Sequence, residues 1–429
     1  MAPLKVLISG GGIAGNALAF WLSKQGHDVT VIERFPKLRA TGLQIDLRGR
    51  GIEVMRRMGL EEAFRAKSVK EQGLRIVNSS GRQMAFFPVN ASGKGSQSFT
   101  TDFEIMRGDL CRLLYDATGD HVKYIYGTFI QNYKETDGSV EALFSNGKMD
   151  RFDLLVGADG QGSRTRKMML NHDAPNPFHP LGVYIAYYTI PQHIESGDAY
   201  IATTYIAPGT RMLFTRRHDP RYIQAYLICK TDSERLKSSD KGDIEEEKEI
   251  MAEMFRDSGW KSEEMLKAME SSDDFYCERL GVVQLDSWSR GGVTLVGDAA
   301  YAPSATTGMG TTCGLVGAYI LAGEIAKHCG QGSEKGVVGG SKAGLGAALK
   351  AYEDKLRPFM DHVQKGLLDG KTIWDWIPTT SWGIFTLHIF LALVNLLRLD
   401  IFASWLVSEE VNDWALPDYD EMVHGRGAD

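Results

Sequence analysis

KVLISGGGIAGNALAFWLSKQGHDVTVIE, Lys5 to Glu33, is the stretch from which the fold is read. Val6, Leu7 and Ile8 make a short continuous apolar run, the pattern of a strand buried on both faces. From Ile13 to Gln25 the apolar residues Ala14, Leu18, Trp21 and Leu22 recur at helical spacing, and Gly26 ends that run. Val29 to Glu33 is a second apolar strand, so the chain opens as β-α-β. Between the first strand and the helix lie Gly10, Gly12 and Gly15 in GxGxxG spacing. Gly10 permits the tight turn, Gly12 lets backbone approach a pyrophosphate, and Gly15 lets the helix pack against the strand. Phosphates would then sit at the helix N-terminus, where unpaired N–H groups and the positive end of the dipole face them. Glu33, eighteen residues beyond Gly15, is placed to accept hydrogen bonds from ribose hydroxyls, which suits an unphosphorylated adenosine ribose. These features predict a bound dinucleotide, with NAD and FAD both open at this point.

Two later stretches narrow the choice to a flavin. Asp153 to Ala158 is an apolar strand that runs into VGADGQGSRTR (Val156 to Arg166), where Asp159-Gly160 turns the chain. Leu295 and Val296 lead into GDAAYAPSATTGMG (Gly297 to Gly310). Asp298 there can accept from a ribityl hydroxyl, and Gly308 and Gly310 bring bare backbone near a ligand. From Thr311 onward a helical pattern runs through Leu315, Ile320 and Leu321; its N-terminus would stabilise negative charge on a reduced flavin. Ile13, Ala14, Arg34, Asp159, Pro303 and Thr311 complete the candidate cofactor contacts.

At these residues the chain resembles the class A FAD-dependent monooxygenases, the family of para-hydroxybenzoate hydroxylase, over roughly residues 4–364. Within that family it looks most like the tetracycline-inactivating flavin monooxygenases and hydroxylases of secondary metabolism. The resemblance implies an NADPH contact at Arg39, flavin contacts at Asp46, Arg107 and Asp298, and a substrate contact at Arg211. It implies FAD, NADPH as cosubstrate, and transfer of one oxygen atom from O2 through a flavin C4a-hydroperoxide to an aromatic or polyketide-like small molecule. Two departures stand out: Tyr301 replaces the histidine that often follows GDAA, and Gly308-Met309-Gly310 replaces Gly-Gln-Gly. The Val183 to Tyr187 stretch is apolar and aromatic, which favours a flatter or more apolar substrate than tetracycline. An epoxidase or Baeyer-Villiger oxygenase acting on a terpenoid or meroterpenoid is the alternative, and a non-catalytic flavin-binding protein is a further one. No side chain stands out as an acid-base catalyst, and none is assigned.

The expected architecture is α/β: a Rossmann-like FAD-binding domain (1–73, 101–175 and 275–365), an inserted antiparallel β-sheet substrate domain (74–100 and 176–274) and a C-terminal helical segment (366–429). Runs rich in Tyr, Ile and Thr from Val183 to Lys230 supply the inserted sheet. Asp137-Gly138 and Asn146-Gly147 mark hairpin turns. Thr231 to Ser272, strongly charged, reads as a solvated pair of helices without assigned function.

Bulk properties exclude several classes. In 429 residues, 43% hydrophobic and 24% charged, the formal net charge is -7, so no basic excess points to nucleic acid. The five cysteines are scattered and never form CxxC, which argues for a reducing compartment and against a disulfide framework or a zinc site. Met1 to Ser9 carries no secretion signal, and a cytoplasmic location is expected. Gly383 to Leu397 is almost wholly apolar but short for a span; it reads as a buried C-terminal helix, ahead of an interfacial membrane contact. WDWIP (Trp374 to Pro378) resembles the tryptophan motif of flavin-dependent halogenases, is one residue too short, and reads as packing.

Overall fold

The computed structural model describes residues 3–38, 42–89, 103–170, 175–195, 199–238, 243–330, 341–369, 373–396 and 414–423. Its centre is a six-stranded sheet in the order Ser289–Arg290, Val293–Leu295, Leu154–Gly157, Lys5–Ser9, Asp28–Glu33, Val122–Tyr126. All neighbours are parallel except the antiparallel edge pair at Ser289–Arg290. Lys5–Ser9 is flanked on one side by the strand that follows it and on the other by Leu154–Gly157. Its carboxyl end is therefore a topological switch point, the place where open α/β sheets bind ligands. Buried on both faces, this sheet needs continuous apolar strands, and Val6, Leu7, Ile8, Leu154, Leu155 and Val156 are fully enclosed. The helix Ile13–Lys24 packs on Gly310–Cys329, which packs in turn on Leu345–Val363.

A seven-stranded sheet forms the second layer, in the order Tyr276–Val283, Phe178–Pro191, Tyr222–Lys230, Arg211–Asp219, Ala202–Ala207, Gly73–Val77, Gln83–Pro88. Every pair is antiparallel except Ala202–Ala207 with Gly73–Val77. Strand periodicity divides its side chains between two covers. On one face Tyr184, Ala186, Tyr188, Leu213, Leu227 and Cys229 pack under helices carrying Ile250, Met251, Phe255, Met265 and Met269. On the other face Val183, Ile185, Tyr187, Phe214, Tyr226 and Ile228 meet Leu43 and Trp374. A small antiparallel sheet, Ile130–Thr136, Ser139–Phe144 and Met149–Phe152, sits alongside. Its first hairpin turns at Asp137 and Gly138 with φ 50° and 67°, the two positive values that a type I′ turn requires.

Two expectations are corrected. The charged region after Thr231 is three helices, Glu234–Ser238, Ile244–Phe255 and Ser262–Glu270, whose apolar sides cover the sheet, so it is part of the core as well as solvated. The apolar C-terminal stretch is a helix, Ser381–Leu396, but it is not buried. Ile384, His388 and Val394 pack inward while Trp382, Phe385, Ile389, Phe390 and Leu393 are exposed. No described helix is long and apolar enough to cross a membrane.

Beyond it, Trp414 to Val423 lies back across the helices that cover the six-stranded sheet. Arg50 donates to the Trp414 carbonyl at 2.8 Å, the Tyr319 hydroxyl to the Pro417 carbonyl at 3.0 Å, and the Tyr419 hydroxyl to buried Glu324 at 2.6 Å. Glu324 also pairs with Lys355. Gly323 makes this seat, since a Cβ there would lie 2.2 Å from the Tyr419 ring. Tyr419→Phe, which removes one donor from a buried carboxylate, is expected to cost about 1 to 2 kcal/mol. Chemical denaturation measures it, and an unchanged midpoint would mean that the tether contributes nothing.

Candidate cofactor and substrate site

The three glycine stretches converge at the carboxyl end of the Lys5–Ser9 strand. Gly10 takes φ +113°, and a Cβ there would lie 2.4 Å from the Ala158 carbonyl oxygen; one at Gly15 would lie 2.0 Å from the Gly10 oxygen. Gly297 sits against Ala14, 2.9 Å from the Ala14 Cβ to a Cβ built on Gly297, and Gly314 closes the same contact at 3.5 Å. Bare backbone is thus required at Gly10, Gly15 and Gly297, whereas a Cβ at Gly314 would make an ordinary contact. Gly12 differs, because a Cβ there meets only the Arg107 guanidinium at 3.9 Å and otherwise faces open space.

Neither helix that starts here has a side-chain cap: Ile13–Lys24 follows Gly12 and Gly310–Cys329 follows Met309. Both N-termini therefore present free N–H groups and positive dipole ends to one cleft, the chemistry that holds phosphate or a flavin anion. Glu33 accepts from the Gly11 N–H at 2.9 Å and the Phe35 N–H at 3.0 Å, which fixes its carboxylate beside the turn with lone pairs to spare. Asn16, fully buried, donates to the Gly11 carbonyl at 2.8 Å and accepts from the Tyr124 hydroxyl at 2.9 Å, locking the turn from beneath.

Asp298 is ringed by protein yet exposed, so it lines an open cleft and not the packed interior. Withdrawal from bulk water raises its carboxyl above the ordinary range, opposed by the Arg107 and Arg166 guanidinium groups. Gly310 lies beside it, with a built Cβ 3.9 Å from Oδ1, and Gly308 takes φ +66° against the Arg48 guanidinium. Pro303 is buried after the short helix Asp298–Tyr301. Asp46 is ion-paired with Arg48, whose backbone N–H donates to the Thr312 hydroxyl at 3.0 Å, so the Asp46 loop is fastened to the helix Gly310–Cys329. Ile13, Ala14 and Thr311 lie in the first turns of the two helices. Arg34 is exposed, over the Phe35 ring at 5.0 Å, next to Glu33 in the chain. Arg39 falls outside the described residues.

Two expected contacts take other roles. The Asp159 carboxylate is fully engaged by its own loop, accepting from Ser163 Oγ at 2.5 Å, the Arg164 N–H at 2.9 Å, and the Thr165 N–H and hydroxyl at 3.0 Å. It shapes the turn against Gly10, and most of its accepting capacity is used within its own loop. Arg211 lies on the helix-covered face of the sheet, opposite the face that meets Leu43 and Trp374. It shares the side of Leu213, and its guanidinium donates to the carbonyls of Pro208 at 2.8 Å and Met254 at 2.5 Å under the helices. In a strand a shift of one position exchanges faces.

The arginine on the cleft face is Arg216. Its side chain forms a bidentate pair with Glu71, 2.8 and 2.7 Å, and also bonds Glu104, which accepts from Gln44. Glu104 sits opposite Asp46 in the ladder Gln44–Asp46 with Glu104–Met106, so this buried cluster ties the substrate sheet to the cofactor layer. Burial, resisted by Arg216 and reinforced by Glu71 and Asp46, pushes the Glu104 carboxyl up to about 7. Arg166, nearly fully buried, donates to the Ala299 carbonyl at 2.8 Å and holds GDAA against GADG. Neither Arg216 nor Glu104 carries a local motif; their partners are distant in sequence, and only the fold joins them.

The site belongs to a known class: residues 3–349 match the FAD binding domain family, and the chain is a member of it. It is a flavin-dependent monooxygenase of the class A type. It is 48% identical to the FAD-dependent monooxygenase asL4 of Sarocladium schorii over 99% of this chain and 100% of that one. It is 40% identical to the flavin-dependent monooxygenase eupH of a Phoma species, over 90% of this chain and 91% of that one. Among solved structures, tetracycline destructase Tet(55) superposes with a TM-score of 0.77 at 27% identity, covering 97% of this chain and 99% of that one.

Asp298→Ala is expected to lower FAD occupancy after gel filtration with the far-ultraviolet circular dichroism unchanged; full occupancy would remove the residue from the cofactor contacts. Glu104 predicts a pH slope. Its unfolded carboxyl titrates near 4.5 and its folded one near 7, so the folded state holds the proton more tightly. Stability is therefore highest below pH 4.5 as far as this group is concerned and falls as pH rises to about 7. Glu104→Gln should flatten that slope in denaturation series across the window.

Proposed function

We propose that this protein uses NADPH and O2 to place one oxygen atom on an aromatic or polyketide-like secondary metabolite. The observation that carries the reading is the meeting of two uncapped helix N-termini, Asp298 and Arg107 in one cleft beside an aromatic sheet face. FAD, when bound there, supplies the redox ring that takes hydride from the nicotinamide and activates oxygen. On this reading residues 1–73, 101–175 and 275–365 form the cofactor unit, 74–100 and 176–274 the substrate unit, and 366–429 the C-terminal segment. Gly10, Gly12, Ile13, Ala14 and Gly15 seat the pyrophosphate. Glu33 and Arg34 hold the adenosine end. Arg107 and Asp298 hold the ribityl chain, while Asp46, Pro303, Gly308, Gly310 and Thr311 border the ring; Arg39 is assigned to NADPH.

The remaining work belongs to the sheet. Tyr187, Phe214 and Tyr226 pack edge to face, with Phe214 and Tyr226 centroids 5.1 Å apart and Tyr187 and Tyr226 5.5 Å apart. Such a wall orients a flat substrate by area and ring geometry and keeps water from the reacting atoms. The relatives asL4 and eupH, both named as monooxygenases, support oxygen transfer as the activity. The purified protein should be yellow, and a panel of phenols and polyketide aromatics, tetracycline among them, should contain members that stimulate NADPH and O2 consumption one to one. Product mass and oxygen position separate hydroxylation from ring expansion or epoxidation. Flavin-loaded protein that no panel member stimulates would defeat the proposed substrate class.

A further inference from the structure

The antiparallel ribbon of Gln44–Asp46 and Glu104–Met106 is three residue pairs long, yet both of its strands run straight into the cofactor site. Beyond Asp46 comes Arg48, which is ion-paired with it and lies against Gly308. The Arg48 backbone exchanges two hydrogen bonds with the Thr312 hydroxyl, 3.0 and 3.1 Å, in the first turn of the helix Gly310–Cys329. Beyond Met106 comes Arg107, whose N–H donates to the Leu43 carbonyl at 2.8 Å and whose guanidinium lies beside Gly12. A ribbon this short has little stability of its own. At its end Glu104 stands directly opposite Asp46, and like charges so placed repel. Glu104 is 2% exposed, so water screens the pair poorly. Arg216, from the strand Arg211–Asp219, reaches Glu104 but also forms its bidentate pair with Glu71, ahead of the strand Gly73–Val77. Gln44 donates to Glu104 from the partner strand, and Tyr226 faces the same cluster with its phenol held neutral by burial. Among the described residues three carboxylates, Glu71, Glu104 and Asp46, thus share two guanidinium groups, Arg216 and Arg48. The cluster carries one surplus negative charge when Glu104 is ionised and balances when it is protonated. Arg216 and Gln44 both donate to Oε2, so both bonds persist with a proton on Oε1.

We propose that Glu104 is a positioning residue through which a proton tightens the hold on FAD, because the balanced cluster keeps the ribbon, and with it Asp46, Arg48 and Arg107, in register. Ionised, Glu104 sets two carboxylates against each other at the end of that ribbon and loosens the hold. Burial raises the Glu104 carboxyl from 4.5 to about 7, with Arg216 opposing and Glu71 and Asp46 adding to the rise. A ribbon slackened by the loss of flavin lets water reach the group and returns it towards its ordinary value. Proton and flavin therefore favour one another, and linkage makes the effect reciprocal. The gain is complete below pH 4.5, is lost as pH rises, and is gone above about 7. This inference rests on the reading of the cleft as an FAD site and adds the group that sets its pH dependence.

The test dilutes FAD-loaded full-length protein into buffers from about pH 5 to about pH 8, separates the released flavin by ultrafiltration and measures it by absorbance. The apparent dissociation constant is expected to rise about tenfold between about pH 5 and about pH 7, then level off. Glu104→Gln, neutral at every pH, should remove that rise and hold FAD at about pH 8 as tightly as the wild type does at about pH 5. A residue that merely fills space would weaken binding equally at every pH. Glu71→Gln, which leaves Arg216 to Glu104 alone, should end the rise at a lower pH. A flat wild-type profile, a rise that survives Glu104→Gln, or a Glu104→Gln protein weaker than the wild type throughout each overturn the proposal. Should Glu104→Gln not fold, Glu71→Gln decides, and an unmoved rise rejects the role. Protein that retains no FAD at any pH overturns this inference together with the reading of the cleft. Flavin-loaded protein with a flat profile overturns the inference alone.

Discussion

Everything in the cofactor layer depends on backbone crossing backbone at van der Waals distance. The Gly10 turn lies against Ala158, Gly15 lies against the Gly10 carbonyl, and Gly297 lies against Ala14. Each crossing brings one motif onto the next, and together they bring two uncapped helix N-termini to the switch point of the parallel sheet. A single methyl group at Gly15 would force the helix away from its strand, and the dipole ends would no longer share a cleft. The glycines therefore create the binding site indirectly, by permitting a separation that no side chain allows.

The polar groups around that cleft divide between those that face a ligand and those that hold the ones that do. Asp298 remains open to the cleft, while Arg166 behind it is spent on the carbonyls of Ala299 and Gln161. Arg48 is fastened to Asp46 and Thr312, and Asn16 to Gly11 and Tyr124. Such buried networks are costly when incomplete and rigid when complete. The Arg216 cluster extends the same principle between layers: two carboxylates and one guanidinium leave an excess of negative charge in a dry place, and a raised Glu104 proton affinity is the result.

The substrate sheet has two unequal faces because its strands alternate between helix cover and cofactor cover. The helix face mixes Tyr184, Tyr188 and Tyr205 with aliphatic and methionine side chains. On the other face Tyr187, Phe214 and Tyr226 stand among Val183, Ile185 and Ile228, and aromatic groups keep their shape at low entropic cost. The C-terminal chain closes both layers, with Trp374 on the cleft face and Tyr419 seated at Gly323.

The amino-acid sequence by itself determined the β-α-β opening, the order of the three flavin stretches, the inserted sheet and the family, because these rest on local spacing: apolar runs, helical periods and glycines at fixed offsets. The Asp137-Gly138 hairpin was legible for the same reason. Tertiary structure alone decided which arginine meets the cleft, since Arg211 and Arg216 differ only in strand parity and parity has no meaning until both faces are covered. It decided that Asp159 serves its own helix, that Glu104 lies beside Asp46 and Arg216, and that one side of Ser381–Leu396 stays exposed. It also placed Trp374 against the sheet face that carries Tyr187 and Tyr226. Each of these depends on contacts between residues tens to hundreds of positions apart, and burial, desolvation and hydrogen-bond pairing are defined only once those residues are in contact.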